Sequence, residues 1–165
     1  MKNSLNDFIV PVLLVAIALT VIGWSVYIYK NRTEMPFVSN TSKELLIVQD
    51  RGGLCQYGGC FSTIIISKDG TFATEDGSGS KKSGNLGASE VKNLQNLIEN
   101  SNYKTLRKTP FTDICPTAYD GSEFTYKFQT SHGDEIIGSC TTKIDSSNPL
   151  FQEVQKILNS IYSYN

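Results

Sequence analysis

Residues 124–129 read FTYKFQ, an alternation of aromatic and polar side chains. Successive side chains of a strand point to opposite faces of a sheet, so this alternation is typical of a strand that is buried on one face only. Residues 131–134 (SHGD) contain the turn formers glycine and aspartate, and residues 135–144 are predicted to return as a second strand. We therefore expect a pair of antiparallel strands in the second half of the chain.

The residues before this pair predict further strands and one loop. Residues 45–49 (LLIVQ) are mostly apolar, and residues 61–67 (FSTIIIS) are rich in β-branched side chains, which favour strands. Asp69-Gly70 is a β-hairpin signal. Residues 75–85 (EDGSGSKKSGN) contain no apolar side chain and are predicted to form a loop.

Two amphipathic helices are predicted from apolar side chains that recur at helical spacing. Ser89 is expected to cap the first helix, and Asn148-Pro149 is a favoured start for the second. Their apolar stripes are, in turn, Val91, Leu94, Leu97 and Ile98, and Leu150, Val154, Ile157, Leu158 and Ile161. This order of elements predicts an α+β domain, in which two helices cover one face of a small, mostly antiparallel sheet of four or five strands.

A membrane segment is predicted before this domain. Residues 8–29 (FIVPVLLVAIALTVIGWSVYIY) carry no charge, and as a helix they would span roughly 33 Å, enough to cross a bilayer core. The run is longer than the apolar part of a cleaved signal peptide, and Trp24, Tyr27 and Tyr29 favour a membrane interface. We therefore expect one transmembrane helix that acts as an uncleaved signal anchor. The predicted organisation is an N-terminal tail (1–7), the transmembrane helix (8–29), a stalk (30–43) and the α+β domain (44–165).

Two sequence signals disagree about the orientation in the membrane. Lys30 and Arg32 after the segment outweigh Lys2 before it, which weakly favours a cytoplasmic domain. All four cysteines lie in the domain, and an even number of cysteines in a small domain favours an oxidising compartment. Because the charge difference is slight, we expect a single-pass protein of the cell membrane with an extracytoplasmic domain.

The cysteines are predicted to form disulfides. Their spacing is Cys55-x4-Cys60, then Cys115, then Cys140, whereas structural zinc sites usually show two closely spaced pairs. Three pairings are possible. We favour Cys55–Cys60, which would close a glycine-rich turn, together with Cys115–Cys140, which would tie an irregular stretch to a strand.

Several function classes find little support in the sequence. The net charge of −1 and the lack of clustered basic residues argue against a nucleic-acid partner. No phosphate-binding glycine motif is present, so we expect no cofactor. His132 is the single histidine, lies in the predicted turn and is interpreted as an exposed residue. A pair of catalytic carboxylates stays open, the candidates being Asp113, Asp120, Glu123, Asp134 and Glu135.

Several short motifs resemble a known kind of domain. They are CPTAYDG at residues 115–121, Tyr126-x-Phe128, His132-Gly133-x-Glu135 and Ser139-Cys140. With them, residues 51–151 resemble a small domain of uncharacterised bacterial membrane-anchored or exported proteins, a resemblance that implies no particular activity. The order of elements is also distantly similar to emfourin-type inhibitors of metalloproteases. In that comparison Arg51-Gly52-Gly53-Leu54 stands at a Gly-Gly-hydrophobic turn, which implies an inhibitory role, although emfourin-like proteins generally lack these cysteines.

These observations favour a non-enzymatic binding module that is displayed outside the cytoplasm. The bilayer is the expected partner of residues 8–29, and an unknown protein is the expected partner of the domain. The candidate contact residues, taken from two loops, are Leu54, Tyr57, Phe111 and Tyr119. The alternatives are a protease inhibitor of the emfourin type and a hydrolase that uses carboxylates.

Overall fold

In a computed structural model of the chain, residues 43–52 and 60–163 are described. Their strands are β1 (Glu44–Gly52), β2 (Phe61–Ser67), β3 (Thr71–Asp76), β4 (Lys81–Asn85), β5 (Ser122–Thr130) and β6 (Gly133–Gly138). Their helices are α1 (Ala88–Asn100), α2 (Tyr103–Leu106) and α3 (Pro149–Tyr162), and a 3-10 helix, η1, spans Pro116–Tyr119.

The described strands form one sheet in the order β4-β3-β2-β1-β5-β6, and every neighbouring pair is antiparallel. The predicted α+β class and antiparallel sheet are confirmed. The predicted count of four or five strands is wrong, because the sheet has six. The missed strand, β4, lies at an edge within the predicted loop at residues 75–85. It pairs with β3 through backbone groups and needs no apolar side chain, so its sequence carries no strand pattern.

Helices α1 and α3 bury their apolar stripes against the sheet in a single core cluster. Phe128 lies near its centre and is fully buried, with ring contacts to Tyr103, Tyr126 and Phe151. Asn148 caps α3 as predicted, since its side-chain Oδ1 accepts a hydrogen bond of 3.0 Å from the backbone N–H of Leu150. The cap of α1 was predicted wrongly, because Gly87 is the capping residue and Ser89 lies inside the helix.

A β-bulge explains how two successive side chains of β1 become buried on the same face of the sheet. Glu44 lies opposite Ser67 and Leu46 lies opposite Ile66, so Leu45 is an extra residue in β1. A bulge of this kind turns two successive side chains toward the same face. Leu45 and Leu46 consequently both join the core cluster.

The two outer strands of the sheet carry charged side chains at their edges. Arg107, which follows α2, contacts β6. Its Nε donates a hydrogen bond of 3.2 Å to the carbonyl oxygen of Ile136, and its guanidinium pairs with Glu135. On β4, the ammonium of Lys81 lies 3.3 Å from the carboxylate of Glu75 on the neighbouring strand. Both edges therefore present a basic side chain.

The predicted transmembrane helix (8–29) and most of the predicted stalk (30–43) lie outside the described residues. No helix among the residues that are described has the length and apolar character needed to span a bilayer. The described residues all belong to one compact unit.

We expect residues 34–165 to fold as a soluble fragment after the first 33 residues are removed. The core cluster of the described residues draws on both long helices and the sheet. A thermal melt of the purified fragment should show one cooperative transition. An aggregated product without such a transition would contradict the prediction.

Candidate binding surface

The segments that carry Cys60, Cys115 and Cys140 meet at one end of the sheet, which we call the disulfide end. Because β1 is antiparallel to β2 and β5, Gly52 at the end of β1 meets Ser122 at the start of β5. Its backbone N–H also donates a hydrogen bond to the carbonyl oxygen of Cys60, just before β2. The disulfide end comprises these residues together with Cys115, Cys140 and η1.

The predicted Cys115–Cys140 disulfide is confirmed, with 5.2 Å between the two Cα atoms. The prediction that Cys140 lies in a strand at residues 135–144 is wrong. Strand β6 ends at Gly138, and Cys140 lies in the turn that follows, where the backbone N–H groups of Thr141 and Thr142 donate to the carbonyl oxygen of Gly138. Cys60 is also disulfide-bonded. Its proposed partner Cys55 lies outside the described residues, so that pairing stays a prediction.

The loop before β5 is held by backbone contacts as well as by the disulfide. The N–H of Phe111 donates to the carbonyl oxygen of Thr141 at 3.2 Å, and the N–H of Lys143 donates to that of Thr109 at 2.9 Å. Helix η1 follows Cys115, and its C-cap residue is Asp120, whose φ of 86° lies in the left-handed region. The N–H of Gly121 then donates to the carbonyl oxygen of Pro116 at 2.8 Å, which closes the turn. The loop is therefore fixed at both of its ends.

Replacing Gly121 with alanine should open this turn. A Cβ atom at Gly121 would lie 2.6 Å from Cβ of Pro116 and 3.0 Å from its carbonyl oxygen, and neither atom belongs to a flexible side chain. We expect the free energy of unfolding to fall by about 1–3 kcal/mol, the usual cost of overpacking, as measured by urea denaturation. A Gly121→Ala variant as stable as the parent protein would contradict the prediction.

Most of the large apolar side chains that are exposed in the described residues lie at the disulfide end. Five large apolar side chains are exposed in the described residues: Phe61, Ile114, Tyr119, Ile136 and Tyr162. Phe61 begins β2, and Ile114 and Tyr119 flank Cys115 and η1. Tyr162 ends α3 beside Ser62, Asp76 and Ser80, which lie at the same end of β2 and β3. Ile136 alone lies elsewhere, on β6 opposite Lys127.

The predicted contact residues have different positions. Tyr119 is 62% exposed, on η1. Phe111 is half-buried, and its backbone pairs with Thr141, so it supports the loop. Leu54 and Tyr57 lie outside the described residues. Sequence reasoning missed Ile114, although an apolar residue beside a cysteine in a proline-rich stretch was a usable signal.

The predicted hairpin turn at His132 is confirmed, since Ser131 and His132 join β5 to β6. Glu99 of α1 accepts hydrogen bonds from the side-chain hydroxyl of Ser131 at 2.8 Å and from its backbone N–H at 3.1 Å. These bonds, led by the hydroxyl, hold the pKa of Glu99 below its usual range, so this carboxylate stays ionised. An ionised, hydrogen-bonded carboxylate suits a structural contact with the turn.

The candidate carboxylates are not all brought together. Asp134 and Glu135 are adjacent in β6 and therefore point to opposite faces of the sheet. Asp134 lies 2.8 Å from Lys127, and Glu135 pairs with Arg107. Glu123 lies at the disulfide end, where one of its carboxylate oxygens and the sulfur atoms of Cys115 and Cys140 all lie within 4.8 Å of one another. While the two sulfurs are joined in a disulfide, they are not thiolate ligands.

Comparison with models of protein families and with curated proteins finds no match to this chain.

Proposed function

We propose that this chain is a membrane-anchored, extracytoplasmic module that binds a protein partner through its disulfide end and catalyses no reaction. The observation that carries the proposal is the location of exposed apolar side chains at one end of the sheet. Four of the five that are exposed in the described residues lie at that one end. Exposed apolar side chains that cluster, rather than scatter, are typical of interaction surfaces.

The charge of the loop before β5 favours a partner with basic side chains. From Lys108 to Lys127 the chain contains no other lysine or arginine, while Asp113, Asp120 and Glu123 are acidic. Complementary charges across an interface speed the encounter and exclude wrong partners. A partner surface with apolar and basic groups therefore suits the disulfide end.

The rigidity of the loop also supports a binding role. The Cys115–Cys140 disulfide and the backbone bonds at Phe111 and Gly121 fix it before any partner arrives. Pre-ordered contact residues lose less entropy on binding, which raises affinity. Tyr119, a residue type common at binding hot spots, is carried on this fixed loop.

Strand β1 runs toward the disulfide end from the opposite end of the sheet. Lys43 precedes β1 at the far end, where Glu44 lies opposite Ser67. The eight steps from Glu44 to Gly52, at roughly 3.4 Å each, place these two residues about 27 Å apart, so the start of β1 lies away from the proposed contact surface.

Site-specific photo-crosslinking tests the contact surface. A photoreactive amino acid at Tyr119, in the full-length chain in its own membranes, should crosslink to one protein, and excess unlabelled chain should suppress the product. The same probe at His132, an exposed position at the opposite end of β5, should not give that product. Ile114→Ser should reduce crosslinking from Tyr119 at least severalfold. Equal products from both positions, or none from Tyr119, would refute the proposed surface.

A reporter fusion tests the proposed location. Alkaline phosphatase fused after Asn165 should be active in a bacterial host, because this enzyme needs the disulfides that form outside the cytoplasm. The matched fusion is a reporter that works only in the cytoplasm, at the same position. Activity of the cytoplasmic reporter alone would reverse the orientation.

A further inference from the structure

We propose that reduction of the Cys115–Cys140 disulfide creates a zinc site, whose protein ligands are the two cysteine thiolates and the carboxylate of Glu123. The inference stands apart from the proposed binding function. It rests on three ligand atoms, two sulfurs and one carboxylate oxygen, that all lie within 4.8 Å of one another.

The distances suit tetrahedral zinc. With Zn–S bonds of about 2.3 Å and a Zn–O bond of about 2.1 Å, tetrahedral angles place the ligand atoms roughly 3.6–3.8 Å apart. The Cα atoms of Cys115 and Cys140 are 5.2 Å apart, so modest rotation of the two side chains provides the sulfur separation that zinc requires. Glu123 already lies beside both sulfurs.

Backbone contacts help to position the three ligand residues in addition to the disulfide. The carbonyl oxygen of Cys115 accepts a hydrogen bond of 2.9 Å from Ala118, at the start of η1. Glu123 lies in β5, where it pairs with Arg51 of β1. The turn that carries Cys140 is closed by hydrogen bonds to the carbonyl oxygen of Gly138. Each ligand therefore keeps a local support after reduction.

The surroundings of the site favour bound metal. Thr117 Oγ1 lies 3.2 Å from Cys115 Sγ, so its hydroxyl can donate to the thiolate and hold it in place. All three ligand residues are half-buried, which leaves a fourth position for water. A Cβ atom at Gly138 would lie 3.3 Å from Thr141 Oγ1 and 3.7 Å from Glu123 Oε1, so this carboxylate oxygen lies close to the backbone of Gly138. Two thiolates select zinc over the harder ions magnesium and calcium.

The chemistry balances with a dithiol as the reductant. The disulfide takes two electrons and two protons from the dithiol, which itself becomes a disulfide, and two thiols form. Zinc binding then releases both thiol protons, because the ligands are thiolates. The loop before β5 is tied to the end of β6 in both states, by a covalent bond under oxidising conditions and by metal under reducing conditions.

Zinc titration of the full-length chain in detergent tests the proposal. The chain carries Cys55→Ser and Cys60→Ser, so that Cys115 and Cys140 are its only thiols. After reduction with a phosphine, which is then removed, competition with a chromogenic chelator should show one zinc ion per chain. Before reduction it should show none.

Variants of two carboxylates distinguish the proposed site from binding by thiols alone. Glu123→Gln should weaken zinc binding by about 100-fold or more, since loss of even an outer partner of a metal ligand costs about 10- to 100-fold. Asp120→Asn, a change of an exposed carboxylate in the same loop, should leave it unchanged. If the serine variants do not fold, zinc should still slow alkylation of Cys115 and Cys140 in the reduced natural sequence. No zinc binding by reduced chain, or equal binding by Glu123→Gln, would overturn the proposal.

Discussion

Replacing Phe128 with alanine is expected to lower the free energy of unfolding by about 3–5 kcal/mol, the range for loss of a buried aromatic ring. Phe128 is fully buried. Its ring centroid lies 5.7 Å from that of Tyr103, 6.1 Å from that of Tyr126 and 6.2 Å from that of Phe151. Alanine removes these contacts and leaves a cavity that β5 cannot close, because both neighbouring strands fix its position.

Urea denaturation of the fragment 34–165 measures this effect, and two variants control it. Phe128→Leu keeps most of the volume and should cost less than about 1.5 kcal/mol. Tyr162→Ala removes an exposed ring and should stay within about 0.5 kcal/mol of the parent. A loss below about 1 kcal/mol for Phe128→Ala would show that the core is not organised around this ring.

Replacing Cys115 and Cys140 together with serine is expected to lower the free energy of unfolding by about 3.5 kcal/mol. The two cysteines are 25 residues apart, and the entropy of an unfolded chain falls further when a cross-link closes a longer loop. Replacing Cys55 and Cys60 should cost less, about 2 kcal/mol, because that predicted loop is much shorter.

The same urea experiment measures both pairs, in the presence of a chelator so that metal does not contribute. Non-reducing peptide mapping of the parent protein should first identify the link between Cys115 and Cys140. A larger loss from the Cys55 and Cys60 variant than from the Cys115 and Cys140 variant would contradict the expected order.

Most of the core was predictable because burial leaves a periodic pattern. The alternation at residues 124–129 identified β5, and apolar spacing identified α1 and α3. Strand β4 was not predictable, because an edge strand pairs through its backbone and needs no pattern of side chains. The register shift at Leu45 was equally hidden, since LLIV is apolar throughout and does not show which residue is extra.

The candidate binding surface was only partly predictable. Tyr119 and the Cys115–Cys140 pair could be named from loop composition and cysteine spacing. The grouping of Phe61, Ile114 and Tyr162 with them depends on which strand ends meet, and that depends on strand order. No local pattern in the sequence contains that order, so their shared location became visible only in the fold.

The basic side chains on the two outer strands bear on how densely copies of this domain can be packed. An outer strand with unpaired amide and carbonyl groups readily recruits a strand from another molecule, which is how many sheet proteins aggregate into fibres. On one side Arg107 already occupies the carbonyl group of Ile136, and on the other Lys81 and Lys82 place positive charge where a second copy would approach. Neighbouring copies that meet side by side thus encounter charge before they encounter free backbone, which favours colloidal stability at high local concentration.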